Sequence, residues 1–76
     1  MASPQAELVA FLARAIVSEP DTIRVHESEG GQLLELETTP GDRGRVIGRQ
    51  GRVAKAMRAV LGASADGADC RLEIID

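Results

Sequence analysis

The stretch Arg43-Gly44-Arg45-Val46-Ile47-Gly48-Arg49-Gln50-Gly51-Arg52-Val53-Ala54-Lys55-Ala56-Met57-Arg58 holds six of the nine basic residues in a chain of 76, no acidic residue, and a Gly-x-x-Gly at Gly48 to Gly51. The other three basic residues stand against twelve Asp and Glu, so a local +6 sits on a body of formal charge −9, within a net charge of −3. It is the one place where this acidic chain can hold a phosphate backbone. The glycines fall between two helical patterns. Thr39-Pro40 reads as a hydroxyl N-cap followed by proline at the first helical position, with Asp42 in the first turn where a carboxylate complements the helix dipole. Gly44 and Gly48 keep that helix short. After Gly51 a longer helix is expected to about Ala63, with Val53, Met57, Val60 and Leu61 on its apolar side and Arg52, Lys55 and Arg58 on the opposite arc.

Upstream, Ser3-Pro4 repeats the hydroxyl-proline start, and Leu8, Phe11, Leu12, Ala15 and Ile16 recur at three- and four-residue spacing, the stripe of an amphipathic helix stopped by Ser18-Glu19-Pro20. From Thr22 to Glu27, Ile23 and Val25 alternate with Arg24 and His26, the pattern of a half-buried strand. Gly30-Gly31 permits a reversal, and from Gln32 to Thr38 the alternation resumes with Leu34 and Leu36 inward, which predicts an antiparallel hairpin. Downstream, Asp69 to Ile75 closes the chain as a strand in which Cys70, Leu72 and Ile74 share a face. The order is helix, strand, strand, helix, Gly-x-x-Gly, helix, strand. It predicts an α+β fold of three strands and three helices.

Composition removes several function classes. A chain of this length buries only about 60% of its unfolded surface and has room for one core. No apolar run approaches the ~18 residues of a membrane span, and the start lacks the basic and apolar segments of a signal peptide, so a cytoplasmic home is expected. A single cysteine excludes an internal disulfide, and Cys70 reads as a small core residue. With only His26 beside it, no zinc site and no other cofactor is expected. Phe11 is the only aromatic residue, which disfavours modules that stack bases on aromatic platforms. No carboxylate pair, Cys-His pair or Ser-His set suggests an enzyme.

Gly-x-x-Gly alone is common, and Gly41 to Gly44 is a second example. Position and flanks give the first one its meaning. Missing Cβ atoms let a ligand backbone approach the main chain, and the helix that follows aims its N–H groups and positive dipole end at the same turn. Arg49 and Arg52 add charge, and Gln50 adds an amide. A Walker A loop requires Lys-Ser/Thr after its last glycine, whereas Gly51 is followed by Arg52-Val53, and no Gly-x-Gly-x-x-Gly exists. A helix-turn-helix needs base-reading side chains where this helix exposes Arg, Lys and Ala.

The run from Val46 to Arg58 resembles the I-G-x-x-G core of a KH domain, whose Gly-x-x-Gly loop clamps four backbone nucleotides. The element order, with an extra helix and strand ahead of the strand-helix-helix-strand core, is similar to the type II arrangement, and the length is similar to that of the small stand-alone bacterial KH proteins of the KhpA family. The resemblance implies one KH domain over 1–76, with a core at about 32–75 and the added helix and strand at about 3–27, and a mixed sheet whose first and last core strands run parallel. It implies single-stranded RNA as ligand, no catalysis, and action as an RNA chaperone or post-transcriptional regulator linked to cell division and cell shape. Gly48, Arg49, Gln50 and Gly51 would form the clamp, Val46 and Ile47 the apolar floor under the bases, and Arg45, Arg52 and Lys55 the flanks of the backbone. A homodimer, or a heterodimer with a larger KhpB-type KH protein, is implied as well. Glu27 to Gly31, at the position of the type II variable loop, is short and acidic, so it offers no second grip on RNA. The alternative function, of a different class, is a protein-protein interaction module that works mainly through homo- or heterodimerisation and binds RNA weakly.

Overall fold

The computed structural model describes residues 3–75; Met1, Ala2 and Asp76, the ends of the expected 1–76 domain, lie outside the described residues. Helix α1 (Pro4–Arg14) starts where its cap predicts, with the Ser3 hydroxyl accepting from the Ala6 N–H at 3.2 Å. Strand β1 (Arg24–Ser28) follows a turn at Pro20–Thr22, and β2 (Leu33–Glu37) pairs with it antiparallel. The reversal uses positive φ at Glu29, Gly30 and Gly31. Helix α2 (Pro40–Ile47), capped by Thr39, leads through a turn at Arg49–Gly51 into α3 (Arg52–Ala63) and then β3 (Arg71–Ile75). β3 pairs parallel with β2, giving a mixed sheet of order β1-β2-β3. Architecture and order are those expected.

The register assigns one face of the sheet to the core. Leu34, Leu36 and Leu72 are buried with Ile23, Val9, Ala13, Val46, Met57 and Leu61 in a single cluster, against which Val25, Cys70 and Ile74 pack part-buried. The other face carries Arg24 opposite Glu37, His26 opposite Glu35, and Glu35 opposite Glu73. His26 Nε2 lies 2.9 Å from Glu37 Oε1 on this solvated side. Cys70 is half-buried, with its thiol on the Gly31 carbonyl at 3.2 Å. Burial and the charges of Asp69, Glu27 and Asp66 push its pKa up, which makes it a poor nucleophile at neutral pH.

The face of α1 differs from the expected one, while that of α3 is largely as expected, Met57 and Leu61 buried and Arg52, Lys55 and Arg58 exposed. In α1 the buried stripe is Ala6, Val9, Ala10 and Ala13, about 140° from the centre of the expected stripe of Leu8, Phe11, Leu12, Ala15 and Ile16. Leu8 and Leu12 pack at its margin, Phe11 is 69% exposed, and Ala15 and Ile16 follow the helix as exposed turn residues. In α3 the stripe is Ala54, Met57 and Leu61, with Val53 at the edge and Val60 45% exposed. Small side chains let α1 sit close to the sheet, and close packing is what a core of this size needs. Phe11, Ile16 and Val60 are left exposed. Leu12, Ile16, Val53, Ala56, Met57 and Val60, with Arg52 at the rim, line an open groove of about 280 Å³ between α1 and α3.

Two carboxylates tie the N-terminal segment to the rest. Glu27 accepts from both the hydroxyl and the backbone N–H of Ser3, and these bonds hold its carboxyl below the usual range. Asp42, expected only to complement the dipole of α2, is 1% exposed and reaches back to Ser18 and Glu19.

Candidate nucleic-acid interface

The turn between α2 and α3 depends on its first glycine. Gly48 has φ 78° and ψ 168°, a backbone state reserved almost entirely for glycine. A Cβ there would stand 2.8 Å from the Val53 nitrogen and 2.5 Å from Val53 Cγ2. Gly48 ends α2 with its N–H on the Gly44 carbonyl at 2.8 Å, and its own carbonyl takes the Gly51 N–H at 3.0 Å. Between them Arg49 and Gln50 are exposed, Gln50 in the left-handed region at φ 59°. Gly51 is also left-handed, at φ 74°, but faces open space.

Helix α3 starts at Gly51 with no side-chain cap among the described residues and no acid in its first turn. The Arg52 N–H closes onto the Arg49 carbonyl, and the N–H groups that follow it in the first turn have no partner within the helix. Arg52 and Lys55, both exposed, add positive charge at the positive end of the dipole, where cations are unfavourable. An anion at this end removes both problems together. Arg52 Nη2 donates to Gln50 Oε1 at 3.2 Å, which holds the two side chains on one side of the turn.

The remaining expected contacts separate. Ile47, the last residue of α2, is 37% exposed beside the turn and offers an apolar surface. Val46 is fully buried in the core, so the expectation that it floors the site is corrected: one helical position moves it 100° away from Ile47 and into the sheet. Arg45 is exposed on α2, its Nε 3.6 Å from Asp42 Oδ1. Arg58, on the basic arc of α3, donates from Nε to the Leu72 carbonyl at 3.1 Å and is partly committed to β3. At the opposite loop, Glu29 pairs with Arg71 at 3.0 Å and Glu27 with Ser3, so both acids there are engaged.

Asp42 is the residue that local sequence rules placed but did not explain. Its Oδ1 accepts from the Ser18 N–H at 3.0 Å and the Ser18 hydroxyl at 2.8 Å, and its Oδ2 from the Glu19 N–H at 3.1 Å. The Ser18 backbone bond is the largest influence lowering its pKa; the Ser18 hydroxyl, the Glu19 N–H and Arg45 add to it against the opposing effect of burial.

A glycine turn opening onto an uncapped, basic helix start, on a β-β-α-α-β mixed sheet, is the geometry of a KH loop, and a family model described as "KhpA/KhpB, KH domain" matches residues 6–75. The chain belongs to this family. It is 44% identical over 80 residues to the RNA-binding protein KhpA of Treponema pallidum, covering all of both chains. It is 47% identical over 73 residues to the RNA-binding protein KhpA of Halalkalibacterium halodurans, covering 91% of this chain and 96% of the relative. With that of Leifsonia xyli the identity is 42% over 73 residues, covering 93% and 96%. No solved structure matches the chain significantly. The KhpA/KhpB KH domains are not an enzyme family.

Proposed function

We propose that this KhpA-family chain is an RNA-binding protein, and that Gly48 to Gly51 clamps the backbone of a single strand over about four nucleotides. The observation that carries the reading is the start of α3: N–H groups without a side-chain cap, no acid in the first turn, and Arg49, Arg52 and Lys55 around them. Phosphates lie against the exposed Arg49-Gln50 backbone of the turn and the Arg49 side chain, the Gly48 and Gly51 N–H groups being held within the turn itself. Arg45, Arg52 and Lys55 flank the strand, and bases rest on Ile47. The relatives' name as RNA-binding proteins supports the same ligand.

Phosphate contacts fix position rather than sequence, and a groove for about four nucleotides reads few base edges, so sequence preference is low. Such binding suits an RNA chaperone or post-transcriptional regulator acting in the cytoplasm, with the effects on cell division and shape that the resemblance implies. Replacing Arg49 and Gln50 together by Asp tests the clamp: fluorescence anisotropy with a single-stranded RNA should show at least a tenfold loss while circular dichroism shows a native fold. Retained affinity in the folded variant sinks the proposal.

The second reading, pairing with another copy or with a larger KhpB-type protein, is favoured by the groove that Leu12, Ile16, Val53 and Val60 line between α1 and α3, and by Phe11 exposed on α1. An apolar groove on the surface of so small a domain is typical of contact surfaces. Two tethered clamps raise avidity, so pairing complements RNA binding rather than replacing it.

A further inference from the structure

We infer that Asp42 is a positioning residue for the RNA-binding loop, acting through α2 and Arg45; the inference rests on the RNA-binding reading above. Helix α2 is eight residues long and contains Pro40, Gly41 and Gly44. Helices this short are marginal, and each interior glycine weakens them by about 1 kcal/mol relative to alanine. Tertiary anchors must therefore hold α2 in place. Val46 supplies one from inside the core, and the Thr39 hydroxyl, accepting from the Asp42 N–H at 3.2 Å, supplies another.

The Asp42 carboxylate supplies the third and the farthest reaching. Besides its bonds to Ser18 and Glu19, it takes the Thr39 hydroxyl at 3.4 Å and faces Arg45 Nε at 3.6 Å. Ser18 and Glu19 precede it by 24 and 23 residues, so the bonds bolt the α1–β1 connection onto the first turn of α2. An acid that served the helix dipole alone would gain nothing from such burial. What it secures is the segment that ends in Gly48, together with the side-chain direction of Arg45 on the next turn.

Charge and position make opposite predictions here. Asp42 immediately precedes the stretch Arg43 to Arg58, which holds six basic residues, so by charge alone its neutralisation strengthens RNA binding. If it positions the loop, Asp42→Asn weakens binding, because the competent arrangement becomes a minor fraction and apparent affinity falls by that fraction.

The test measures anisotropy with a fluorescein-labelled oligouridylate, below the melting temperature of each variant, beside amide hydrogen exchange. Asp42→Asn should bind about tenfold more weakly and exchange faster from Gly44 to Gly51 than in β2. Ser18→Ala, which removes one donor and keeps the carboxylate, should show the same pattern with about a threefold loss, and it decides the matter if Asp42→Asn does not fold. Unchanged or tighter binding by the folded variant, or exchange raised equally everywhere, overturns the inference. If the native chain itself ignores the oligouridylate, the RNA-binding reading fails, while the exchange contrast still decides whether Asp42 holds α2.

Discussion

The two glycines of the turn should differ sharply in what they tolerate. At Gly48 an alanine meets two penalties. The backbone at φ 78°, ψ 168° lies where only glycine is comfortable, a strain of about 1–3 kcal/mol. Its Cβ would also press on the Val53 nitrogen at 2.8 Å and Cβ at 2.9 Å, atoms that move only if the first turn of α3 shifts. Overpacking of that kind costs about 1–3 kcal/mol, for a total of roughly 2–6. At Gly51 the φ of 74° and ψ of 15° are plain left-handed helix, the added Cβ meets nothing within 4 Å, and the cost is about 1–2 kcal/mol.

A domain of 76 residues at about 0.05–0.15 kcal/mol per residue has roughly 4–11 kcal/mol in all. Gly51→Ala should therefore fold, with a melting temperature lower by about 5–15 °C, and Gly48→Ala should lose clearly more or fail to fold. Thermal melts followed by circular dichroism compare the two directly. Equal losses, or a milder effect at Gly48, would refute the claim that steric conflict with Val53 sets the shape of the turn.

Three further outcomes follow from the same geometry. With three or four phosphates neutralised, log affinity for single-stranded RNA should fall with log salt at a slope of about −2 to −3, measured by anisotropy across a salt series; a flat response removes phosphate contact as the source of affinity. Phe11→Ser with Val60→Asp should shift sedimentation toward the monomer if the outer faces of α1 and α3 pair, and should keep a native circular dichroism spectrum because both side chains are exposed in the single chain. Glu27 and Asp42 both have folded pKa values below their unfolded ones, near 4. The stability they contribute is full above the unfolded values and is lost as pH falls through the folded ones. Urea midpoints should drop below about pH 4, and Asp42→Asn should flatten that drop while lowering the midpoint at neutral pH.

What could be read from the chain was whatever its chemistry states locally. Ser3-Pro4 and Thr39-Pro40 start helices because a cap and a proline act within one turn, and the structure begins α1 and α2 there. Leu34, Leu36 and Leu72 alternate because a strand has period two, and they point into the core. The Gly-x-x-Gly was legible for the same reason. The face of α3 was legible in Met57 and Leu61, but that of α1 was not, because periodicity weighted by hydrophobicity ranks Phe11 above Ala10, whereas packing against a sheet favours the residue that fits. Val46 and Ile47 show the limit at the site itself: neighbours of equal hydrophobicity, one in the core and one on the surface.

Asp42 escaped for a different reason, and its case says why the basic stretch alone does not make the site. The first-turn rule places an acid there, and the structure agrees, yet the rule gives a surface role worth a few tenths of a kcal/mol to about 1. The observed role requires Ser18 and Glu19, which no periodicity links to α2, and it exists only once α1 and β1 have packed. The six basic residues supply charge and the glycines supply approach. Neither fixes where the turn stands relative to the sheet. In a helix of eight residues containing two glycines, that placement must come from outside the helix. The buried carboxylate of Asp42 supplies it, at the expense of a negative charge next to the surface proposed to meet RNA. An acid placed there against the local electrostatics is best explained by the geometry it enforces.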